Sequence, residues 1–302
     1  MNRLSTKQRA QIVGMLVEGV SMRAITRITG VSINTVAKLL TDAGAACAAH
    51  HDRAVRGIRG RRHIQCDEVW AFVYAKERMV SRAKAAPEDA GNTWTWTAID
   101  SESKVIVSYL VSTDRDGQSA LALMDDLRSR IEDRSQISTD GLSAYLEGIE
   151  GAFGGDVDYA QVIKEYGLEP EDARERRYSP APGVTKCEKR RIEGFPDMDR
   201  ANTSYVERSN LTVRMGNRRF TRLTNAFSKR REKHVAMLHL FFCHYNFCRI
   251  HTTLQVTPAQ EAGLDPIARD YEWIVGLIDA HAPPPRKPGP RPGTGGRPKK
   301  SN

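Results

Sequence analysis

The sequence predicts a mixed α/β fold with an all-α N-terminal unit in front of it and a basic, disordered tail behind it. Three observations carry that expectation. Helical stripes occupy residues 5–40, strand-like and helix-like periodicities alternate between residues 63 and 140, and residues 283–302 hold almost nothing able to enter a core.

From Ser5 to about Leu40, Ile12, Leu16, Ile25, Ile28, Val36 and Leu39 recur at helical spacing, which predicts three short helices. Ser21 suits the cap of the second, Gly30 the tight turn, and Ser32 or Asn34 the cap of the third. In such a helix–turn–helix, Val31, Val36 and Leu39 hold the helices together. Ile33, Asn34, Thr35 and Lys38 are then left to face a DNA major groove. A plain bundle making protein contacts is the alternative, but Arg23, Arg27 and Lys38 in the same segment favour DNA. Residues 1–45 therefore read as a DNA-binding unit. The Ala-, Gly- and Arg-rich stretch that follows ends in Arg56-Gly57-Ile58-Arg59-Gly60-Arg61-Arg62 and lacks apolar periodicity. Residues 46–62 read as a basic linker.

The core unit spans residues 63–282. His63 to Tyr74 reads as a strand, Thr93 to Ile99 as a second with Trp94, Trp96 and Ala98 on one face, and Lys104 to Ser112 as a third after a turn at Asp100 to Ser103. Ser119 to Ile131 repeats Ala120, Met124, Leu127 and Ile131, the stripe of an amphipathic helix, and Gln136 to Thr139 is a short fourth strand. A crossover through that helix returns the fourth strand parallel to the first, which would bring Asp67 and Asp140 together. Residues of about 150–200, punctuated by Pro170, Pro180, Pro182 and Pro196, read as an irregular insertion. A helix from about Ser204, an apolar helix from His234 to Arg249 and a short helix opened by Thr257-Pro258 complete the unit.

Charge is distributed unevenly. Residues 1–66 carry 11 Lys+Arg against 3 Asp+Glu and residues 283–302 carry 6 against none, so within a total of +9 the middle is net acidic. Basic ends around a carboxylate-bearing core suit a metal-dependent enzyme acting on nucleic acid. No apolar run is long enough for a membrane span and the first residues lack a signal-peptide core, so a cytoplasmic protein is expected. Five cysteines without a C-x-x-C pair fit free thiols.

Asp67 interrupts an apolar run between Cys66 and Val69, where a strand disfavours Asp, and metal binding would supply the reason. Asp140 and Glu207 are not diagnostic alone. Together, Asp67-Glu68-Val69-Trp70, Thr139-Asp140-Gly141-Leu142-Ser143-Ala144-Tyr145 and Glu207-Arg208-Ser209-Asn210-Leu211-Thr212-Val213-Arg214 resemble the three acidic motifs of bacterial insertion-sequence transposases, in particular the insertion sequence one family. The resemblance extends to Phe227-Ser228-Lys229 and to Tyr245-Asn246 with Arg249, His251, Leu254 and Thr257-Pro258-Ala259, so it covers roughly residues 60–265.

It implies an RNase H-like catalytic core and a D-D-E site that cleaves double-stranded DNA at element ends and joins the ends to target DNA. Two divalent ions, Mg²⁺ or Mn²⁺, would activate the attacking oxygen and stabilise the leaving one. Asp67 would bridge them, with Asp140 and Glu207 completing the ligand sets. Glu68 is set aside because successive strand residues face opposite ways. A homo-oligomer on DNA, a nucleoid-associated location and no nucleotide cofactor also follow from the resemblance. The zinc-binding cysteine cluster that some relatives carry ahead of the helix–turn–helix is missing. A non-catalytic DNA-binding regulator and an RNase H-like nuclease outside transposition are the competing readings.

Beyond the acids, Arg208, Arg214, Arg218, Arg219, Arg222, Lys229, Arg230, Arg231 and Lys233 crowd one segment and predict a phosphate-binding surface, with a solvated helix face as the alternative. Arg297, Lys299 and Lys300 in the tail resemble a minor-groove hook. His239, Cys243, His244, Cys248 and His251 invite a zinc reading. The pairs 239/243 and 244/248, however, lie about 140° apart around a helix, so core roles are expected.

Overall fold

The structure, a computed structural model, describes residues 4–167, 183–221 and 224–284. Polar caps define the first three helices. Ser5 and Gln8 form a capping box at α1 (Thr6–Val17), the Ser21 hydroxyl caps α2 (Met22–Thr29), and Gly30 ends α2 with a left-handed φ of 72°. Ser32, rather than Asn34, caps α3 (Ile33–Ala54) by accepting the Thr35 amide.

Helix α3 is the first departure from expectation. It runs 22 residues, through most of the stretch read as linker. Ala43, Gly44, Ala46 and Cys47 are buried along it. Small residues give no strong apolar stripe, yet alanine is the best helix former, and small side chains allow close helix contact. The N-terminal helices are accordingly not separated from the rest, and one continuous hydrophobic cluster runs from Ile12 through the sheet to Ile278.

The sheet has six strands in the order β3-β2-β1-β4-β5-β6. Strands β1 (His63–Val73), β2 (Gly91–Asp100) and β3 (Ile106–Ser112) form an antiparallel meander, with the one-turn helix α4 (Glu77–Val80) between the first two. Helix α5 (Gly117–Arg128), capped by Asp116, crosses to β4 (Gln136–Thr139), which pairs parallel to β1 as the crossover reading expects. Helix α6 (Ala144–Phe153) leads to β5 (Asp158–Tyr166), parallel to β4, and β6 (Val184–Glu193) returns antiparallel at the edge. Within 150–200 the described residues thus include two regular strands where an irregular insertion was expected. The signal was hidden because β6 is an exposed, mostly charged strand with no apolar face to read. Residues 168–182 lie outside the described set, with Pro170, Pro180 and Pro182 among them.

Helices α5 and α6 cover one face of the sheet, where Trp96 and Tyr145 meet edge to face at 5.5 Å. On the other face lie α7 (Ser204–Gly216) and α8 (Arg231–Phe247). Asn246 of α8 brackets Ile106, accepting its amide and donating to its carbonyl at 2.9 Å each, and so covers the edge strand β3. Phe227-Ser228-Lys229 docks at the far end of β1, where Val73 and Ser228 form an isolated bridge. Thr257 and Gln260 build a capping box on α9 (Pro258–Glu261). Helix α10 (Tyr271–His281), which periodicity did not single out, packs back on α1 through a two-pronged Arg9–Asp279 ion pair at 2.6 and 2.9 Å. Among the described residues no helix is long and apolar enough to cross a membrane.

Candidate metal centre

The β1–β4 register places the acids. Parallel pairing ends at Gln65 opposite Ser138, so two residues further on Asp67 and Asp140 stand at matching positions beyond the C-terminal end of β4. Strand β4 stops there because Asp140 turns the chain, its Oδ1 accepting the Leu142 amide at 3.0 Å, while Gly141 lies against Ile163. With β4 gone, the edge of β1 opens into a notch.

Three carboxylates meet at that notch. Ligand atoms of Asp67, Glu68 and Asp140 lie within 4.8 Å of one another, the only such group of acids, histidines or cysteines among the described residues. Glu68 does project to the opposite face of β1, as the pleat requires. Its carboxylate is held there by the Tyr145 hydroxyl at 3.0 Å and by Arg115, and it still reaches the notch. The strand-face argument that set Glu68 aside fails at this point, because a Glu side chain is long enough to bend around a strand edge left unpaired. Arg115 Nη2 also stands 3.7 Å from Asp140 Oδ2, and its guanidinium lies over the Trp94 ring. Neither Arg115 nor its loop, Thr113-Asp114-Arg115-Asp116, carried a signal in the sequence. Tyr145, the last residue of the second motif, gains a role as the donor to Glu68.

The electrostatics are unbalanced. Burial, then the neighbouring Glu68 and Asp140 carboxylates, push the Asp67 pKa up to about 7, against the Asn210 hydrogen bond. Burial and Asp140 also raise Glu68, with Arg115 opposing. Crowded carboxylates with too little positive charge nearby form a hard oxygen donor set, and a divalent cation fits it.

Glu207 sits elsewhere. Its carboxylate accepts from Lys164 on β5 at 2.5 Å and from Thr203 at 2.7 Å and is not in the three-acid group. Its helix is nonetheless tied to the centre. Buried Gln65 on β1 accepts the Tyr205 and Val206 amides at 2.8 and 3.2 Å, capping α7, and one turn beyond Glu207 the Asn210 side chain donates to Asp67 at 2.8 Å. Glu188 and Glu193, two acids between Asp140 and Glu207 in sequence, stand on β6.

Ile33, Asn34, Thr35 and Lys38 are exposed at the start of α3, with Lys38 paired to Asp42 at 2.5 Å. Arg208, Arg218, Lys229 and Arg230 are exposed and Arg214 is half-buried. Arg231 is committed to the fold, its guanidinium donating to the Asp89 and Asn92 carbonyls at 3.0 and 3.2 Å. Arg222, Arg297, Lys299 and Lys300, with the tail, lie outside the described residues. The histidines and cysteines of α8 take core positions: His239 pairs with the Tyr109 hydroxyl at 2.9 Å and His244 stacks on Tyr271.

No family model matches the chain, and no curated protein does. Among solved structures, a chain of the simian T-cell lymphotropic virus intasome in complex with PP2A regulatory subunit B56 gamma is similar over 94% of this chain and 78% of that chain, with 14% identity and a TM-score of 0.38. The piggyBac transposase synaptic complex with hairpin DNA is similar over 96% of this chain and 77% of that chain, with 10% identity and a TM-score of 0.38. The Mos1 transposase paired-end complex is similar over 50% and 58%, with 13% identity and a TM-score of 0.20.

Proposed function

We propose that the chain is a DNA transposase of the insertion-sequence kind, with an RNase H-like core that uses divalent metal to cleave element ends and transfer them to target DNA. The observation that supports this most directly is the meeting of Asp67 and Asp140 at the end of β4, 73 positions apart in sequence and each inside a motif of the resemblance.

Asp67 and Asp140 would hold Mg²⁺ or Mn²⁺, with Glu207 of the third motif, or Glu68 as placed here, completing the set. The bound metal would supply charge stabilisation at a phosphodiester and a more acidic attacking water or 3′-hydroxyl. The chain's own residues do the positioning. Asn210 orients one Asp67 oxygen, Gln65 fixes α7 on the same face of β1, and Arg115 offsets part of the negative charge. Ile33, Asn34, Thr35 and Lys38 would enter the major groove, while Arg208, Arg218, Lys229 and Arg230 contact phosphates. Assembly as a homo-oligomer on DNA belongs to the same reading.

The test is incubation of the full chain with a duplex carrying the inverted repeats that flank its gene. Nicking at the repeat ends in Mg²⁺ but not in EDTA, followed by joining to a second duplex, is the expected result. Tight repeat binding without Mg²⁺-dependent nicking would instead identify a regulator, and nicking without joining a nuclease.

A further inference from the structure

A cavity of about 620 Å³ lies where the α1–α2 turn meets the segment joining α7 to α8. The two walls are in close contact behind it, since a Cβ on Gly19 would stand 3.0 Å from the Gly216 carbonyl oxygen. Among the described residues no Asp or Glu lines the cavity, whereas Arg23 contributes from one wall and Arg218, Lys229 and Arg230 from the other.

Two donors in this lining have no partner. Asn217 is 1% exposed, and its Oδ1 accepts the Arg219 amide at 3.2 Å, which fixes the orientation of the side chain and leaves Nδ2 as the donor. That Nδ2 is buried without a hydrogen bond. So is Nε of Arg219, a guanidinium that burial weakens to a pKa of about 10 with no carboxylate opposing. A buried guanidinium Nε and a buried amide donor two residues apart on one cavity wall are costly unless an acceptor arrives, and an anion is the acceptor that suits both.

We propose that this cavity is a phosphate pocket in which Asn217 Nδ2 and Arg219 Nε hold one backbone phosphate of duplex DNA, beside the groove that α3 enters. The proposal rests on the reading of the chain as a DNA-acting protein. Ile33, the first residue of α3, lines the cavity, and Asn34, Thr35 and Lys38 are exposed just beyond it. A strand whose phosphate occupies the pocket therefore presents its bases to those side chains, and the rim cations Arg23, Arg218, Lys229 and Arg230 meet the neighbouring phosphates. Phosphate contacts of this kind set register while base contacts specify.

The experiment is fluorescence anisotropy of a labelled repeat-end duplex with the full chain in EDTA across a salt series. Arg219→Gln should weaken binding about tenfold and lower the salt slope by about one phosphate contact. Asn217→Leu should weaken it comparably at an unchanged slope, because no charge is lost. Arg53→Gln, an exposed arginine about 30 Å along α3, is the charge control. If both pocket variants bind as the control does, the proposal is overturned. If either pocket variant fails to melt cooperatively, the exposed rim variant Arg218→Gln and Asn217→Asp, which puts negative charge in the pocket, carry the test with the same expected weakening. Inorganic phosphate provides the second arm. Stabilisation of the wild type but not of Arg219→Gln by phosphate, with duplex affinity unaltered, would assign the pocket to a free anion and overturn the DNA assignment. Loss of binding in these variants together with a wild type that never cleaves in Mg²⁺ would leave the pocket standing and remove the transposase reading instead.

Discussion

Asn210 on α7 donates from Nδ2 to Asp67 Oδ2 on β1 at 2.8 Å, joining residues 143 positions apart. Asn210 is 5% exposed and its Oδ1 has no hydrogen-bond partner, so the side chain is committed to the carboxylate at a desolvation cost. Holding one oxygen leaves the other oriented toward the notch. Asn210→Ala should therefore lower Mn²⁺ affinity roughly 10- to 100-fold, the usual loss for an outer partner of a metal ligand, with circular dichroism unchanged. Calorimetric titration decides it, and undiminished affinity would refute the positioning role.

Asp67 itself is destabilising when no cation is bound. Its folded pKa of about 7 lies above the ordinary 3.8, so its favourable contribution is present at low pH and is lost as pH rises through 7. Asp67→Asn should stabilise the fold in EDTA at pH 8 by on the order of 2–4 kcal/mol, seen as a higher melting temperature, and abolish stabilisation by Mg²⁺. A variant less stable than wild type in EDTA contradicts this account.

The third ligand is settled by a pair of variants. Glu207→Gln keeps size and hydrogen bonding, so end-DNA binding should persist while Mg²⁺-dependent nicking is lost at least a hundredfold, an order of magnitude typical for a required charge at a metal centre. Glu68→Gln should cost far less, because Arg115 and Tyr145 already engage that carboxylate. Wild-type nicking by Glu207→Gln together with an inactive Glu68→Gln reverses the assignment.

The strands around the centre were readable because alternation and turn residues mark β1 to β4 without help from distant contacts, and a crossover through α5 allowed β4 to lie parallel beside β1, which the pairing bears out. Strand β5 and the charged edge strand β6 were not readable, since their pairing rather than their composition makes them strands. The second half of α3 was missed for a related reason. Its Ala and Gly positions matter only because α8 lies against them. At the centre, Asp67 and Asp140 were legible as motif residues, but Arg115 and Lys164 act through space from unremarkable segments, and the reach of Glu68 depended on where β4 happens to end.

Burial makes the fold acid-labile. His51 and His234 are driven down to pKa values of about 3, and His239 and His244 to about 4, chiefly by desolvation. Each is neutral in the folded chain and protonates near 6.5 once unfolded, so stability is complete above pH 6.5 and lost as pH falls toward 4. With four such groups the slope approaches about 1.4 kcal/mol per pH unit for each. The opposite trend at Asp67 and Glu68 is outweighed by the four rings. Melting temperatures taken between pH 7.5 and 4.5 should fall steeply below 6.5, and His51→Gln should flatten that fall. A level profile would show that these rings titrate normally.

Gly44 fixes how the N-terminal helices meet the rest of the molecule. A Cβ there would stand 2.5 Å from the Ala236 Cα, so α3 and α8 touch backbone to backbone, and neither can yield without moving a whole helix. The same pair of helices carries the exposed Ile33, Asn34, Thr35 and Lys38 at one end and the Ile106 bracket of Asn246 at the other. Gly44→Ala should thus destabilise by roughly 1–3 kcal/mol through overpacking, despite the better helix propensity of alanine, which alone would stabilise by about 1 kcal/mol. Gly276→Ala, inside α10 where nothing lies within 4 Å, is the matched helical control and should be neutral or stabilising by up to about 1 kcal/mol. If α1 to α3 formed an independent domain on a flexible linker, Gly44→Ala would leave the main unfolding transition unmoved. A single transition shifted downward by several degrees, with end-DNA binding and nicking reduced together, is the outcome expected of a seam that transmits the position of α3 to the sheet holding Asp67 and Asp140.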